Sequence, residues 1–465
     1  MSTDAVVIEA TPPQSPATEA AELTRPKPQP VSALERVASV DVLRGVALLG
    51  ILTMNIVFFA WPAVAVENPL RGGGDFTGFN RVVWAFNHLI FDWKMMTIFS
   101  MLFGAGLVLM GGRADARGAA LGWVYYRRVF WLLVIGALHA YLLSMADVLV
   151  LYAQCGMVLY PLRRLSARTL IILAIPVLLM FAVVGTGVRT GLRFLENTAA
   201  KAQDARSIGG SPSKFQAWIH ELWTETLLPR IDPSPERKVE VSAKESAVYR
   251  GSYAGIVRHN ATEIIEAQTI AFFLTNFWVV GGRMLLGMGL MKLGVFSAAR
   301  SWRFYGWMVA LGYGLGLPLV GYDCYALVSS NFFYKQALSS QFYWNHVGSI
   351  AVALGHVGVV MLICKAGALP WLRGRLAAVG RMALTNYLMQ SVICTTLFYG
   401  WGFGLFAAVD RAALAGIVFV IWVVQLPFSW FWLAHFRFGP AEWLWRSLTY
   451  WRLQPMRREF KACPA

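Results

Sequence analysis

Ten apolar runs of roughly bilayer length constrain what this chain can fold into more than any other feature. They fall at about 43–62, 92–111, 129–145, 147–163, 169–189, 268–291, 303–322, 346–365, 378–400 and 412–433. A hydrocarbon core of about 30 Å needs about 20 residues of helix, and within it every backbone N–H and C=O has to be paired by the chain itself. Helices meet that demand segment by segment. The expected fold is therefore all-α: a polytopic integral membrane protein of about ten transmembrane helices, with the lipid bilayer as its first partner. Composition agrees. Hydrophobic residues make up 57% of the chain and charged residues 14%, where a soluble domain carries about 45–50% and about 25%. The third and fourth runs are short and separated only by Ser144, Met145 and Ala146, which implies a tight helical hairpin.

The formal charge of +16 raises the question of nucleic acid, and the placement of the charge answers it. Arg113, Arg117, Arg127 and Arg128 lie between the second and third runs, Arg163, Arg164 and Arg168 between the fourth and fifth, and Arg300 and Arg303 between the sixth and seventh. Lys365, Arg373, Arg375 and Arg381 lie between the eighth and ninth, and another basic cluster, from Arg437 to Lys461, follows the tenth. Basic residues at alternate loops are the topology signal of a membrane protein, so no nucleic-acid partner is inferred. They put the N-terminus in the cytoplasm, and an even number of helices returns the C-terminus there. No cleavable signal precedes the first run, which is expected to act as a signal anchor. The five cysteines form no CxxC pair and no metal spacing, and no metal site is expected.

The expected organisation is a disordered cytoplasmic tail at 1–40, five membrane helices in 41–189, an extracytoplasmic segment at 190–262, five more helices in 263–440 and a cytoplasmic tail at 441–465. In the 190–262 segment, stretches such as KFQAWIHELWTETLLP space apolar residues helically among charges. That implies one or two amphipathic helices on the outer surface. The stretches 76–91 and 329–343 read the same way. Together they suggest a covered cavity opening outward. No repeat of fixed period is present, and the glycines at 281–290 and 314–318 suit close helix contacts.

Polar residues within membrane helices are costly and are functional candidates by default. Asp41 and Arg44 open the first helix and can pair across one turn, while Asn55, three turns beyond Arg44, shares its face at another depth. Arg44 suits a phosphate or carboxylate and Asn55 a carbonyl or oxyanion. Equally, Arg44 can be a snorkelling anchor and Asn55 interhelical glue. His139 and Asp147 flank the hairpin turn and can meet, which would orient the imidazole as an acid–base group or simply pin the hairpin. His88 and Asp92 share a face at the membrane entrance of the second helix, as a catalytic pair or an interfacial charge cluster. Arg283 lies deep in the sixth run, His356 in the middle of the eighth, and Asn386 and Gln390 four apart on the ninth, where they could bind a substrate. Arg44, Arg283 and Arg381 could jointly hold a phosphorylated ligand such as coenzyme A. There is no GxxxxGK[ST], GxSxG or HExxH pattern.

Several stretches carry a family resemblance. SVDVLRGVALLGILTMNI at 39–56, FSMLFGAGLVLM at 99–110, LLVIGALHAYLLSMADVLVLYAQCG at 132–156, GRMALTNYLMQSVICTTLFYGWGFGLF at 380–406 and FRFGPAEWLWRSLTYWRLQPMRR at 436–458 resemble the YeiB-like family of bacterial inner-membrane proteins. At Ala146 the family pattern usually reads Gly. That family is in turn distantly similar to transmembrane acyltransferases of the heparan glucosaminide acetyltransferase and sugar O-acyltransferase types. These carry an acyl group from cytoplasmic acyl-CoA to an acceptor on the far side. In the heparan type a first-helix Arg is followed eleven residues later by Asn, as Arg44 and Asn55 are here, and Asp92 resembles a further Asp of that type. The heparan type places its catalytic His eleven residues beyond the Asn, where this chain has Val66. Either His88 or His139 takes over that role, or the chain does not perform this chemistry.

The resemblance implies an inner-membrane acyltransferase using acyl-CoA, most simply acetyl-CoA. Its phosphates would lie at Arg44, Arg283 and Arg381, its carbonyl at Asn55, and His139 oriented by Asp147 would deprotonate a small-molecule, glycan or lipid acceptor. The competing expectations are a transporter or exporter of a small or lipid-like substrate, and a non-enzymatic membrane scaffold. A homodimer is compatible with all three.

Overall fold

The computed structural model describes residues 37–72, 74–116, 122–232 and 235–458. Most of the expected tail at 1–40, together with Arg117, lies outside the described residues. All sixteen described elements of eight residues or more are helices. The first half holds α1 (Ala38–Ala60), α2 (Gly78–Ile90), α3 (Lys94–Ala116), α4 (Gly122–Leu142), α5 (Leu149–Leu159) and α6 (Ala167–Ser207). Then come α7 (Lys214–Glu221), α8 (Pro235–Tyr249), α9 (Tyr253–Gln268), α10 (Phe277–Lys292), α11 (Trp302–Ser329) and α12 (Asn345–Lys365). The chain closes with α13 (Pro370–Arg381), α14 (Ala383–Phe398), α15 (Arg411–His435) and α16 (Pro440–Tyr450).

Among the described residues, seven helices are long and apolar enough to cross a membrane: Ala38–Ala60, Gly78–Gly112, Ala167–Ser207, Phe272–Lys292, Trp302–Ser329, Tyr334–Lys365 and Arg411–His435. They correspond to seven of the ten apolar runs. The other three runs are helical but shorter or more polar. α4 carries Arg127 and Arg128 in its first turns, α5 has 11 residues and α14 has 16, the latter cut off from α13 by a break at Met382. At 1.5 Å per residue α5 is only about 17 Å long, short of a hydrocarbon core.

The helices divide by exposure. In α1, 72% of the apolar window is buried inside the protein, against 17% in α6, 22% in α11 and 28% in α15. α1 is therefore the axis, packed on α3, α13, α14 and α15. The outer helices show apolar faces such as Ile172, Ile175, Leu179 and Val183 on α6, and Phe419, Val420, Val423 and Val424 on α15. Apolar residues exposed on one helix face after another suit a lipid environment and not water.

Small residues let the central helices approach closely. A Cβ on Gly380 would strike the Asp41 carbonyl, and one on Gly45 the Leu376 carbonyl, where α1 crosses α13. Gly104 and Gly287 do the same between α3 and α10. This is how membrane helices gain packing without a hydrophobic drive between them.

Three sequence expectations change. The boundary drawn at 190 falls inside α6, which runs unbroken through Gly187 and Gly191 to Ser207, with no proline in its second half. The rest of the 190–262 segment forms several helices, of which α8 and the α8–α9 turn dock on the end of the bundle. There Tyr249 stacks on Phe406, the Arg250 guanidinium donates to the Phe406 carbonyl, and Tyr253 Oη donates to the Leu142 carbonyl at 2.8 Å. The expected tail beginning at 441 is helical as far as Tyr450, with α16 packed against α4 and α14.

Candidate active site

A cavity of about 320 Å³ begins where α1, α4, α14 and α16 start and α13 ends. Arg44, Arg128, Arg381 and Arg446 line its mouth, together with Asp41 and Glu442. Deeper in, the wall turns apolar, with Leu48, Ile51, Phe99, Phe103, Leu132 and Leu149. It thus opens at the end bearing the basic clusters, not at the end covered by α8 and α9, as the amphipathic stretches had suggested.

Arg44 and Arg128 are held in different ways. Arg44 Nη1 donates to Asp41 Oδ1 at 2.9 Å, one turn back, and reaches the Gly380 carbonyl at 3.4 Å. The Arg128 guanidinium lies 3.7 Å from the centre of the Trp445 ring, a cation–π contact, while Trp445 Nε1 donates to the Arg128 carbonyl at 2.8 Å. Glu442 accepts from the Leu384 N–H at 2.6 Å, the Thr385 N–H at 3.1 Å and the Thr385 hydroxyl. Its carboxylate thereby satisfies free N–H groups at the start of α14. Burial pushes the Glu442 carboxyl above its usual range, and these hydrogen bonds oppose the shift.

At the inner end the cavity reaches Val148, Tyr152 and Tyr387. Behind that wall the α4–α5 hairpin brings His139 and Asp147 together, with Nδ1 and Oδ1 2.7 Å apart. Asp147 Oδ2 also accepts the Val150 N–H at 2.8 Å, which fixes the carboxylate at the start of α5. The second imidazole nitrogen, Nε2, lies 2.8 Å from Ser391 Oγ on α14. A carboxylate only accepts, so Nδ1 is the donor to Asp147, and in the neutral imidazole Nε2 then accepts from the Ser391 hydroxyl. All three side chains are buried. The Tyr387 ring, one turn before Ser391, packs on the imidazole at 4.9 Å between centroids. It separates this hydrogen-bonded chain from the cavity.

His88 and Asp92 belong to a different centre. His88 Nδ1 is 3.5 Å from Asp92, and Nε2 is 3.0 Å from Asp323 Oδ2, which also accepts from Ser340 at 2.7 Å. Lys94, fully buried, donates to Asn345 Oδ1 at 3.0 Å and to the His88 carbonyl. A π-helical turn at Ser340–Trp344 sets Ser340 and Asn345 toward these partners. The helices involved are α2, α3, α11 and α12, not those that hold His139.

The remaining candidates disperse. Arg44 and Arg381 share the cavity mouth, but Arg283 does not join them. It is fully buried on α10, beside Trp93 at 5.6 Å from the ring centre, and none of its three nitrogens has a hydrogen bond among the described residues. Asn386 and Gln390 are committed to α15, donating to Ser429 and Gln425 at 2.9 Å each. His356 joins Tyr313 on α11 at 2.7 Å and the Ile90 carbonyl at 2.9 Å. These three do not line the cavity. Asn55 is buried on the stripe that continues Arg44, Leu48 and Ile51, and no hydrogen bond reaches its side chain among the described residues.

Sequence reasoning missed Ser391, Asp323, Lys94, Arg128 and Arg446 as site residues. Arg128 and Arg446 carried a signal, since each lies at a helix end in a basic cluster, but a topology marker and a ligand contact look alike in sequence.

Comparison with known proteins settles the family. The chain is 31% identical over 438 residues to "Uncharacterized protein YeiB" of Escherichia coli (strain K12), covering 90% of this chain and 97% of that one. The chain belongs to the YeiB-like family. It is also 29% identical over 442 residues to "Uncharacterized protein YxaH" of Bacillus subtilis (strain 168), covering 93% of this chain and 99% of the relative. Residues 290–452 match a family described as "Protein of unknown function (DUF418)". In this YeiB-like chain the matched stretch contains Arg381, Tyr387, Ser391 and Arg446, while Arg44, His139 and Asp147 precede it.

Proposed function

We propose that this protein is a membrane acyltransferase that takes an acyl group from cytoplasmic acyl-CoA and passes it to an acceptor hydroxyl or amine reaching the site from the extracytoplasmic side. The observation that carries the reading is the buried His139–Asp147 pair just behind the inner wall of an apolar cavity whose mouth holds four arginines. On this reading the three shorter helices also cross, giving ten crossings of a bacterial inner membrane with both termini cytoplasmic.

The residues present fit such a substrate. Guanidinium forks match phosphate oxygens, and the apolar interior matches an acyl group on an aliphatic arm. A nucleotide head would stay at the mouth. The two acidic residues there do not oppose it, because Asp41 is engaged with Arg44 and Glu442 with the start of α14. Arg283 plays no part in that contact. Asp147 holds the imidazole in the tautomer whose Nε2 is the proton acceptor, the arrangement of a general base. Asn55, one turn beyond the cavity-lining Ile51 on the same stripe, supplies an N–H donor suited to a polarised carbonyl. The acceptor can be a glycan, a lipid or a small molecule.

The test is calorimetric titration of the detergent-purified protein with acetyl-CoA and with a long-chain acyl-CoA. Saturable binding that weakens in Arg44→Ala supports the reading. No binding of either ligand by folded protein rejects it.

A second reading, proton-coupled transport, is favoured by one observation: the buried His88–Asp323–Lys94 cluster is of the kind that relays protons in transporters. It would show as substrate flux in vesicles that contain no acyl-CoA.

A further inference from the structure

The acyltransferase reading leaves a feature it does not use. The nitrogen that would act as base, His139 Nε2, is not facing the cavity but is engaged by Ser391 Oγ at 2.8 Å. Ser391 Oγ also lies 3.4 Å from the Tyr387 carbonyl of its own helix, the usual resting place of a helical serine. The shorter contact is the one to the imidazole. A serine bonded to the free nitrogen of a histidine, whose other nitrogen is held by a buried carboxylate, is the constellation that activates a hydroxyl as nucleophile on several unrelated folds. The three residues come from separate places in the sequence. Ser391 is 252 positions from His139, and each member is buried away from water.

We propose that Ser391 is the catalytic nucleophile of a two-step transfer and carries the acyl group as an ester between donor and acceptor. This rests on the acyltransferase reading and specifies its chemistry. In the first step the Ser391 hydroxyl gives its proton to His139 Nε2, and Oγ bonds to the carbonyl carbon of the acyl thioester. The C–S bond breaks, and the sulfur leaves as a thiol with the proton from the imidazolium. In the second step an acceptor hydroxyl gives its proton to Nε2 and its oxygen bonds to the acyl carbon. The ester bond to Ser391 breaks, and Oγ recovers the proton. No oxidant or metal enters the balance. Asp147 stabilises the imidazolium in both halves.

The placement explains how one site can serve two sides. Ser391 lies one turn beyond Tyr387, on the side of α14 away from the arginine mouth. The Tyr387 ring is the partition between cavity and nucleophile, held by a long hydrogen bond of 3.2 Å to the Ala146 carbonyl in the hairpin turn. Displacing that ring admits the thioester carbonyl. On the other side of Asp147 a small hollow lined by Met145, Gln154, Gln268 and Asn276 approaches the hairpin from the end covered by α9, where an acceptor would arrive. A relay of this kind separates the two substrates in time, so they need not meet.

The experiment is a quenched single turnover of the intact, detergent-purified protein with acetyl-CoA and no acceptor, followed by digestion and mass spectrometry. It is paired with acetyl transfer by Ser391→Ala and Ser391→Cys. An acetyl group on the peptide containing Ser391, absent in Ser391→Ala and in Asp147→Asn, is the expected result. Transfer should fall at least about a hundredfold in Ser391→Ala, while Ser391→Cys still becomes acylated. A Ser391→Ala protein that transfers acetyl at the wild-type rate overturns the relay, as does a turning-over wild type with no acetyl at Ser391 at any quench time. In those cases transfer is direct and the acyltransferase reading stands. Folded wild-type protein that neither binds nor consumes acetyl-CoA overturns both.

Discussion

Two clusters of buried polar residues divide this protein, and they are built on opposite principles. Around His139 there are few charges. One carboxylate, one imidazole and one hydroxyl form a single chain of hydrogen bonds, and the next layer of side chains faces a cavity. Around His88 the charges are dense. Asp92, Asp323 and Lys94 are interlocked with Ser340 and Asn345, and Asp323 and Lys94 are wholly buried. The lesson is that a buried charge in a membrane is not enough to mark a site. Nearness to a cavity wall, through the Tyr387 ring, separates the cluster around His139 from the one that ties helices α2, α3, α11 and α12 together.

That contrast can be broken or sharpened by substitution. The largest expected effect is on rate. Asp147→Asn keeps the shape but favours the wrong imidazole tautomer, so acyl transfer should fall by about 10⁴, with the melting temperature in detergent nearly unchanged. Next, Asp323→Ala removes the buried carboxylate that His88 Nε2 and Ser340 share, leaving Asp92 as the nearer acid for His88 and Lys94. It should cost about 3–5 kcal/mol, read as a lowered thermal unfolding midpoint and restored in part by adding Lys94→Met. An Asp323→Ala protein of wild-type stability that has lost activity would instead move the working site to the second cluster.

Smaller again is Arg44→Ala, which removes one charged contact at the mouth. Acyl-CoA affinity should weaken about tenfold, about 1.4 kcal/mol, with the turnover rate at saturating acyl-CoA retained. The least is expected from Lys335→Ala. Lys335 pairs with Glu196 at 2.7 Å, but both side chains are more than a third exposed, at 37% and 34%. Such a pair contributes about 1 kcal/mol at most, and the unfolding midpoint should barely move.

The sequence made the architecture readable where apolar length does the work. Ala38–Ala60 and Arg411–His435 emerge as runs because every residue must face either lipid or another helix. The hairpin contact between His139 and Asp147 was readable too, since a short link between two antiparallel helices leaves the two side chains little choice. α5 and α14 are harder. Their runs extend past the helix ends, and hydropathy does not record the break at Met382 or the 3₁₀ turn at Tyr160–Arg164. Ser391 was not readable at all. A serine in an apolar helix looks like any interhelical contact, and its partner is 252 positions away. Asp323 was hidden in the same way, lying just past an apolar run with a partner 235 positions distant. Composition also could not tell Arg44, at the cavity, from Arg283, sealed beside Trp93.

The most direct test of the account is acetyl transfer itself. Protein reconstituted in proteoliposomes would be given labelled acetyl-CoA, with a bacterial lipid and glycan extract as the acceptor pool, and wild type compared with Asp147→Asn. The account predicts label in the acceptor pool with wild type and about 10⁴-fold less with Asp147→Asn. Equal labelling by the two proteins, or none by folded wild type with acetyl-CoA or a longer acyl-CoA, would contradict it.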